Sequence, residues 1–423
     1  MKVHLAYGQG LLPVELPDGC ATVITPSHKP GLSDERAAVL AALEKPVAAA
    51  PLREQVGPSD RVCIIFTDIT RATPNHRLIP WLLEHLSRLS RENITLLNST
   101  GTHRPNTPAE LEKMLTPEVA ARYRVVNHVA EDTEALAPLG TTRAGAPVLI
   151  NRLAVEADLR ILTGFIEPHF FAGFSGGPKA IMPGVAGLNT VMSNHGARNI
   201  GDPQAAWGVT EGNPIWEEMR DIALRCGRNF LLNVSLNEQR QITGVFAGDL
   251  LAAHRAGIEF VRASAMQPVA APFDIVLTTN SGYPLDLNLY QGVKGMSAAA
   301  RIVKPGGLII LAAECREGVP AGSPLDKLLR RVSSSEELLG LLSQPGFSHP
   351  EQWQSQIQAL IQRKAEVQVH SSLPDETVRA AHLIPCRDIA AEVRRRLETL
   401  GPQARIAVLP QGPLTIPYLK NGA

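Results

Sequence analysis

The residues in this chain best suited to chemistry fall in a few short polar stretches. The densest is FIEPHFFAGFSGGPKAIMPGVAG, residues 165–187, which gathers His169, Ser175, Gly176, Gly177 and Lys179 and is soon followed by His195. It has little of the apolar periodicity of a merely structural helix or strand. Ser175, Gly176 and Gly177 can turn backbone N–H groups toward an anion, and Lys179 adds a point charge. The spacing of a Walker A loop, GxxxxGK[ST], is missing. A glycine turn with a lysine is also common as plain structure, so the loop alone leaves both readings open. His169 and His195 are too far apart to share one helix face as a two-histidine metal motif, and a lone histidine is often structural. TDITRATP, residues 67–74, supplies Asp68, Thr70 and Arg71. Asp68 and Arg71 either pair with each other, or Arg71 serves as the bidentate partner of a substrate carboxylate. His103 in GTHRP is a proton-transfer candidate or a turn residue. Tyr290, Gln291 and Lys294 in YQGVK lie at helical spacing, as one exposed turn or as the wall of a site.

These residues need elements to hold them. RVCIIF, residues 61–66, is a continuous β-branched run of the kind found in buried parallel strands, and it ends at TDITRATP. ITLLNSTGTHRP, residues 94–105, repeats the pattern of strand and polar loop, and Thr107 with Glu110 then opens a helix as a capping box. DLRILTGF, residues 158–165, leads in the same way into the long motif. Strand, polar loop and helix in succession describe an α/β fold with mostly parallel sheets, in which ligands bind beyond the carboxyl ends of the strands. Asp68, Arg71, His103 and His169 are therefore expected to converge. Ser33, Asp34 and Glu35 predict a helix over 33–45 with Ser33 at its cap. The Pro- and Ala-rich AMQPVAAPF, residues 265–273, predicts a boundary between two α/β domains, 1–268 and 269–423, with the active site in the cleft between them. EQWQSQIQALIQRKAEVQ reads as a solvated surface helix.

Composition narrows the function. Balanced charge, with 41 basic and 41 acidic residues, offers nothing to attract a polyanion such as nucleic acid or an anionic membrane. No signal peptide and no 18-residue apolar run is evident, so a cytoplasmic location is expected. Five scattered cysteines without a CxxC pair read as reduced thiols rather than a disulfide framework or a zinc cluster. No GxGxxG follows an early strand, which argues against a conventional NAD-dependent dehydrogenase.

Taken together, DITRATP, STGTHRP, EPHFFAGFSGGPKAIMPG, the NHGARN around His195, and YQGVK with the later Ser297 resemble the nickel-dependent lactate racemase family of 2-hydroxyacid racemases and epimerases. The likeness runs in the family's order over essentially the whole chain. It implies a nickel pincer nucleotide, a pyridinium mononucleotide whose two sulfur-bearing arms and ring carbon grip one nickel ion. Lys179 matches the family's covalent attachment point, and His195 matches the histidine that completes the metal's planar coordination. A planar set of soft sulfur and imidazole suits Ni(II). Ser175, Gly176 and Gly177, with Asp68 and Thr70, match cofactor-binding positions. His103 and His169 correspond to the two bases that invert C2 of a 2-hydroxy acid by hydride transfer through a 2-keto acid. Arg71 and Lys294 correspond to carboxylate and oxygen partners, Tyr290 and Gln291 to pocket-lining residues, and Asp68 to an orienting residue. Lactate is the default substrate, and dedicated cofactor-synthesis proteins are the implied partners. The alternative is a carrier or storage protein that binds the nucleotide without turnover.

Overall fold

The computed structural model describes residues 1–27, 29–320 and 322–420. The chain forms two compact units. A central unit takes His28–His195 and Gln204–Ala263, and a flanking unit takes Met1–Ser27, Gly196–Pro203 and Ser264–Ala423. The later boundary falls between Ala263 and Ser264. The first 27 residues, however, belong with the C-terminal part of the chain. The reason is strand pairing. β1 (Lys2–Tyr7) and β2 (Gly10–Glu15) form an antiparallel hairpin, and Val3, Leu5, Val14 and Leu16 are buried in the flanking unit's core. β3 (Ala21–Val23) becomes the edge strand of that unit's sheet.

The central unit is built on six strands. β4 (Val62–Thr67) has five consecutive buried residues, as a strand covered on both faces must. β5 (Ile94–Ser99) and β6 (Arg124–Asn127) follow it in parallel on one side. β7 (Leu136–Thr141) and β8 (Pro147–Asn151) make a separate antiparallel ribbon. β9 (Leu159–Phe165) then returns to the other side of β4. The two-residue strands β10 (Pro168–His169) and β11 (Gly173–Phe174) pair with each other. β12 (Asn229–Leu236) lies parallel to β9, and β13 (Ile242–Asp249) closes the edge as an antiparallel hairpin partner. The resulting order is β13-β12-β9-β4-β5-β6. Chain direction across the sheet reverses between β4 and β9, the place where ligands bind in open α/β sheets. The helix Asn75–His85 buries Leu78, Ile79 and Leu82 against this sheet. Thr107 and Glu110 form the expected capping box. The first helix is Glu35–Glu44, capped by Asp34 rather than Ser33, because the Asp34 carboxylate reaches Ala37 N at 2.9 Å.

In the flanking unit, β14 (Met266–Val269) occupies the expected linker, where it pairs in parallel with a C-terminal strand. β15 (Phe273–Thr279), β16 (Val303–Ala312), β17 (Glu366–His370), β18 (Ile384–Pro385) and β19 (Ile406–Leu409) form a parallel sheet in the order β18-β17-β16-β15-β19-β3. β20 (Ile416–Leu419) is the partner of β14. The helix Gln352–Lys364 corrects the sequence expectation of a solvated surface helix, since Gln352 to Ala359 are all buried. Its amides are used on backbone carbonyls: Gln356 donates to Ala197 O and Gln358 to Ala381 O, both at 2.7 Å, and Gln354 donates to Tyr290 O. Among the described residues no helix is long and apolar enough to cross a membrane. All five cysteines are free thiols.

Candidate active site

Three loops at the carboxyl ends of β4, β5 and β9 carry the predicted residues of the central unit. Asp68 follows β4 directly and is 2% exposed. Its carboxylate accepts from Thr70 Oγ1 at 2.9 and 3.0 Å, lies 2.9 Å from His103 Nδ1 and pairs with Arg71 Nε at 3.9 Å. Burial pushes this carboxyl upward, but His103, Arg71 and Thr70 outweigh burial and hold it below the usual carboxylate range. A carboxylate can only accept, so His103 Nδ1 carries the proton and Nε2 keeps its lone pair. Of the two readings of Asp68 and Arg71, the pairing is therefore present, and it also includes His103.

The His103 loop is held from below by asparagines. Asn98 Nδ2 donates to Asn106 Oδ1 and to Asn127 Oδ1, both at 2.8 Å, and Asn127 Nδ2 donates to Asn106 O at 2.9 Å. Asn106 Oδ1 also accepts from Ile69 N at 3.3 Å, tying the Asp68 loop to the His103 loop. Gly101, at φ +57°, donates its N–H to Gly184 O at 2.9 Å and so joins the His103 loop to the segment after Lys179.

His169 sits in the β10–β11 hairpin, where the Ala172 N–H donates to its Nδ1 at 3.2 Å. In the neutral ring this leaves the proton on Nε2, the tautomer opposite to that of His103. The hairpin needs Gly173, at φ +74°, because a Cβ there would lie 2.1 Å from Val209 O. The Phe171 ring then gathers the other candidates. His169 lies 4.6 Å and His195 5.0 Å from it by ring centroid, and Lys179 Nζ stands 5.7 Å over its face.

Lys179 rides on a single 3-10 turn, Gly177–Ala180, packed against β4 and β9. Here the structure differs from the expected row of open N–H groups. Ser175 N donates to Glu167 O at 2.9 Å and Gly177 N to Asn233 Oδ1 at 2.8 Å, while the Ser175 hydroxyl bridges Phe165 O and Glu167 N, each at 2.9 Å. These groups stiffen the turn that aims Lys179. His254 completes the support: its Nε2–H donates to Ser175 O at 2.9 Å, and its ring stacks on Trp216. Burial drives the His254 imidazole down to about 4, so it is neutral near pH 7. Asn233 and His254 were not legible as site residues, because their partners are backbone atoms distant in sequence.

His195 ends the helix Leu188–Asn194 and is 4% exposed. Burial, with the Lys179 charge adding to it, pushes its imidazole down to about 3. Its Nδ1 lies 3.0 Å from Asn194 Oδ1. Among the described residues no group of three or more His, Cys, Asp or Glu is arranged to hold a metal ion. An imidazole that burial keeps neutral near pH 7, close to the Lys179 amine, fits a metal whose remaining donors arrive on a cofactor. Tyr290, Gln291, Lys294 and Ser297 lie in the flanking unit. They form the partly exposed face of the helix Leu289–Ala300, opposite buried Leu289, Val293 and Met296.

Comparison with known proteins gives the chain's family. Residues 7–208 match the lactate racemase N-terminal domain family, and residues 269–416 match the lactate racemase C-terminal domain family. The chain is 35% identical over 420 residues to lactate racemase of Thermoanaerobacterium thermosaccharolyticum, covering 97% of this chain and 98% of that protein. It is 36% identical over 382 residues to lactate racemase of Lactiplantibacillus plantarum, covering 89% and 90%. The solved lactate racemase apoprotein from T. thermosaccharolyticum superposes with a TM-score of 0.91 at 33% identity, over 99% of this chain and 100% of that one. A Thermotoga maritima protein shares the fold, with a TM-score of 0.65 at 21% identity over 91% of this chain and 98% of that one.

Proposed function

The chain belongs to the lactate racemase family and is an isomerase of the racemase type, and from that premise we propose that it inverts C2 of lactate or a related 2-hydroxy acid. The observation that carries the reading is the Asp68–His103 pair, a buried carboxylate that leaves His103 Nε2 as an open lone pair. When bound, a nickel pincer nucleotide supplies the hydride acceptor that the chain's own side chains lack. Lys179 is its proposed attachment point and His195 Nε2 its proposed protein ligand.

The chain's own residues handle protons and charge. His103 Nε2 takes the hydroxyl proton of one enantiomer, and the Asp68 carboxylate offsets the positive charge the ring acquires. His169 is the proposed partner for the opposite face: protonated on both ring nitrogens it gives a proton to the C2 oxygen of the product, so that each turnover adds one proton to His103 and takes one from His169. To act as the base for the opposite enantiomer it gives up the Ala172 hydrogen bond and moves its proton to Nδ1. Arg71 is the proposed carboxylate partner in the central unit, and Lys294, Tyr290 and Gln291 of the flanking unit keep the oxygen-binding and pocket-lining roles that the family resemblance gives them. Asp68 and Thr70 would help hold the cofactor from the loop after β4, while Ser175, Gly176 and Gly177 would do so through the turn that carries Lys179.

The test is protein made together with the cofactor-synthesis proteins, examined by intact mass, nickel content and chiral chromatography of a panel of 2-hydroxy acids. Nickel, a mass increment lost in Lys179→Ala, and inversion of lactate or a panel member are expected. Bound nickel without inversion of any acid supports a carrier or storage protein instead, and absence of nickel under competent loading removes the cofactor from the reading.

A further inference from the structure

Glu218 is 3% exposed, yet the reading above gives it no task. It lies on the helix Pro214–Arg225 beside Ile215, Trp216 and Met219. Its neighbour Glu217 pairs with the Arg143 guanidinium at 3.2 Å, whereas Glu218 takes the Arg143 backbone N–H on Oε1 at 2.6 Å. The other oxygen, Oε2, accepts from Asn194 Nδ2 at 2.9 Å. Asn194 is fully buried, and Nδ2 also reaches Ile215 O at 3.2 Å.

These contacts settle an orientation that an amide does not reveal by shape. Both groups facing Asn194 Nδ2, a carboxylate and a carbonyl, can only accept, so the NH2 end must face them. Asn194 Oδ1 is thereby turned to His195 Nδ1 at 3.0 Å, and an amide oxygen can only accept. His195 must then carry its proton on Nδ1, which leaves Nε2 unprotonated. We propose that Glu218 and Asn194 are positioning residues for metal binding: a carboxylate–amide–imidazole relay that fixes the tautomer and ring orientation of His195, so that Nε2 is the donor. In metal sites the hydrogen bond on the far ring nitrogen sets both the tautomer and ligand basicity. Here an amide stands between the carboxylate and the ring, so the carboxylate orients the ligand without placing its charge beside the metal. The inference rests on the reading of His195 as the metal's protein ligand.

Glu218→Gln is the informative substitution because it keeps the shape. One carbonyl cannot serve both the Arg143 N–H and Asn194 Nδ2–H, and the new NH2 drives the Asn194 amide to turn its own NH2 toward His195. Asn194→Leu removes the relay at similar volume. Two readouts are needed: nickel release from cofactor-loaded protein to an excess of chelator, and the His195 tautomer by 15N NMR of histidine-labelled apoprotein, assigned through His195→Ala. Each variant is expected to lose nickel about 10- to 100-fold faster. Glu218→Gln should add nothing in the Asn194→Leu background, because both act through one amide. Unchanged release from folded single variants, or additive effects, overturns the relay. If neither variant folds, the wild-type spectrum decides, and a His195 proton on Nε2 overturns it. Wild-type nickel retention by His195→Ala instead removes the metal reading on which the inference stands.

Discussion

Replacing Asp68 by Asn tests the proton-handling half of the proposed reaction most directly. Three donors, Thr70 Oγ1, His103 Nδ1 and the Arg71 guanidinium, converge on two carboxylate oxygens. Asparagine keeps one oxygen, so at least one donor meets an NH2 group. If His103 is that donor, its ring is forced into the tautomer with no lone pair on Nε2. A charge-assisted hydrogen bond contributes about 1.5–3 kcal/mol, toward the lower end here because the His103 side chain is 41% exposed. At 1.36 kcal/mol per decade, kcat/KM should fall roughly 10- to 100-fold. Enantiomers have equal free energy, so the factor must be the same starting from either one, measured by chiral chromatography with nickel content held equal. Stability supplies a second check. The Asp68 pKa is lowered in the folded state from its ordinary 3.8, so its contribution is present above that value and is lost as pH falls through the folded value. The variant should be less stable than wild type at pH 7, with the gap closing below about pH 4. A loaded Asp68→Asn enzyme within threefold of wild-type kcat/KM would falsify the orienting role.

Gly177→Ala should lower thermal stability by the equivalent of about 1–3 kcal/mol and reduce cofactor loading. At φ +55° a Cβ would lie 2.5 Å from His254 Nδ1, and wild-type melting with full loading would show that the turn tolerates it. His254 has a folded value near 4 against an ordinary 6.5, so stability is lost as pH falls from 6.5 toward 4, about 2 kcal/mol of it by pH 5. Urea titrations of the apoprotein at pH 7 and pH 5 should show that loss, and His254→Gln should reduce it; equal slopes in both proteins would place the acid sensitivity elsewhere. Gly295→Ala should destabilise the flanking unit, because its Cβ would meet Thr279 O at 2.2 Å and push away the helix bearing Lys294. A wild-type melting profile for that variant would show that the helix can shift at no cost.

The parts of this protein that were legible in its sequence are those whose signal is local. β4, β5 and β9 announce themselves as apolar runs ending in polar loops, and parallel sheets put function at those ends, so Asp68, Arg71, His103 and His169 were expected together; Asp68 contacts both Arg71 and His103, while His169 packs instead on Phe171, as do His195 and Lys179. Thr107 and Glu110 are a contiguous capping signal and form the box. What failed depends on partners far away in sequence. The glutamines of Gln352–Lys364 read as solvated because nothing nearby reveals that their amides serve the carbonyls of Ala197 and Ala381. Ser175 and Gly177 read as open anion donors because Asn233 and Glu167, which occupy their N–H groups, lie outside the turn. Glu218 left a trace: it falls on the apolar stripe of Ile215, Met219 and Ile222, where a solvated glutamate has no reason to be.

The pairing of β3 with β19 has a consequence for the order in which the molecule can be finished. On the ribosome, residues 1–27 emerge long before the strand they pair with and have no sheet to join. The central unit carries its own sheet and core and can form while the early segment waits. Only when Ile406–Leu409 is released can β3 dock on β19 and the β1–β2 hairpin cover Val408 and its neighbours. Until β3 has docked, β19 is an unpaired edge strand, the kind of surface that recruits the wrong partner. Cutting the gene at the later unit boundary would make that transient edge permanent. A C-terminal fragment should therefore aggregate when expressed alone and regain solubility when residues 1–27 are fused to it through a flexible linker.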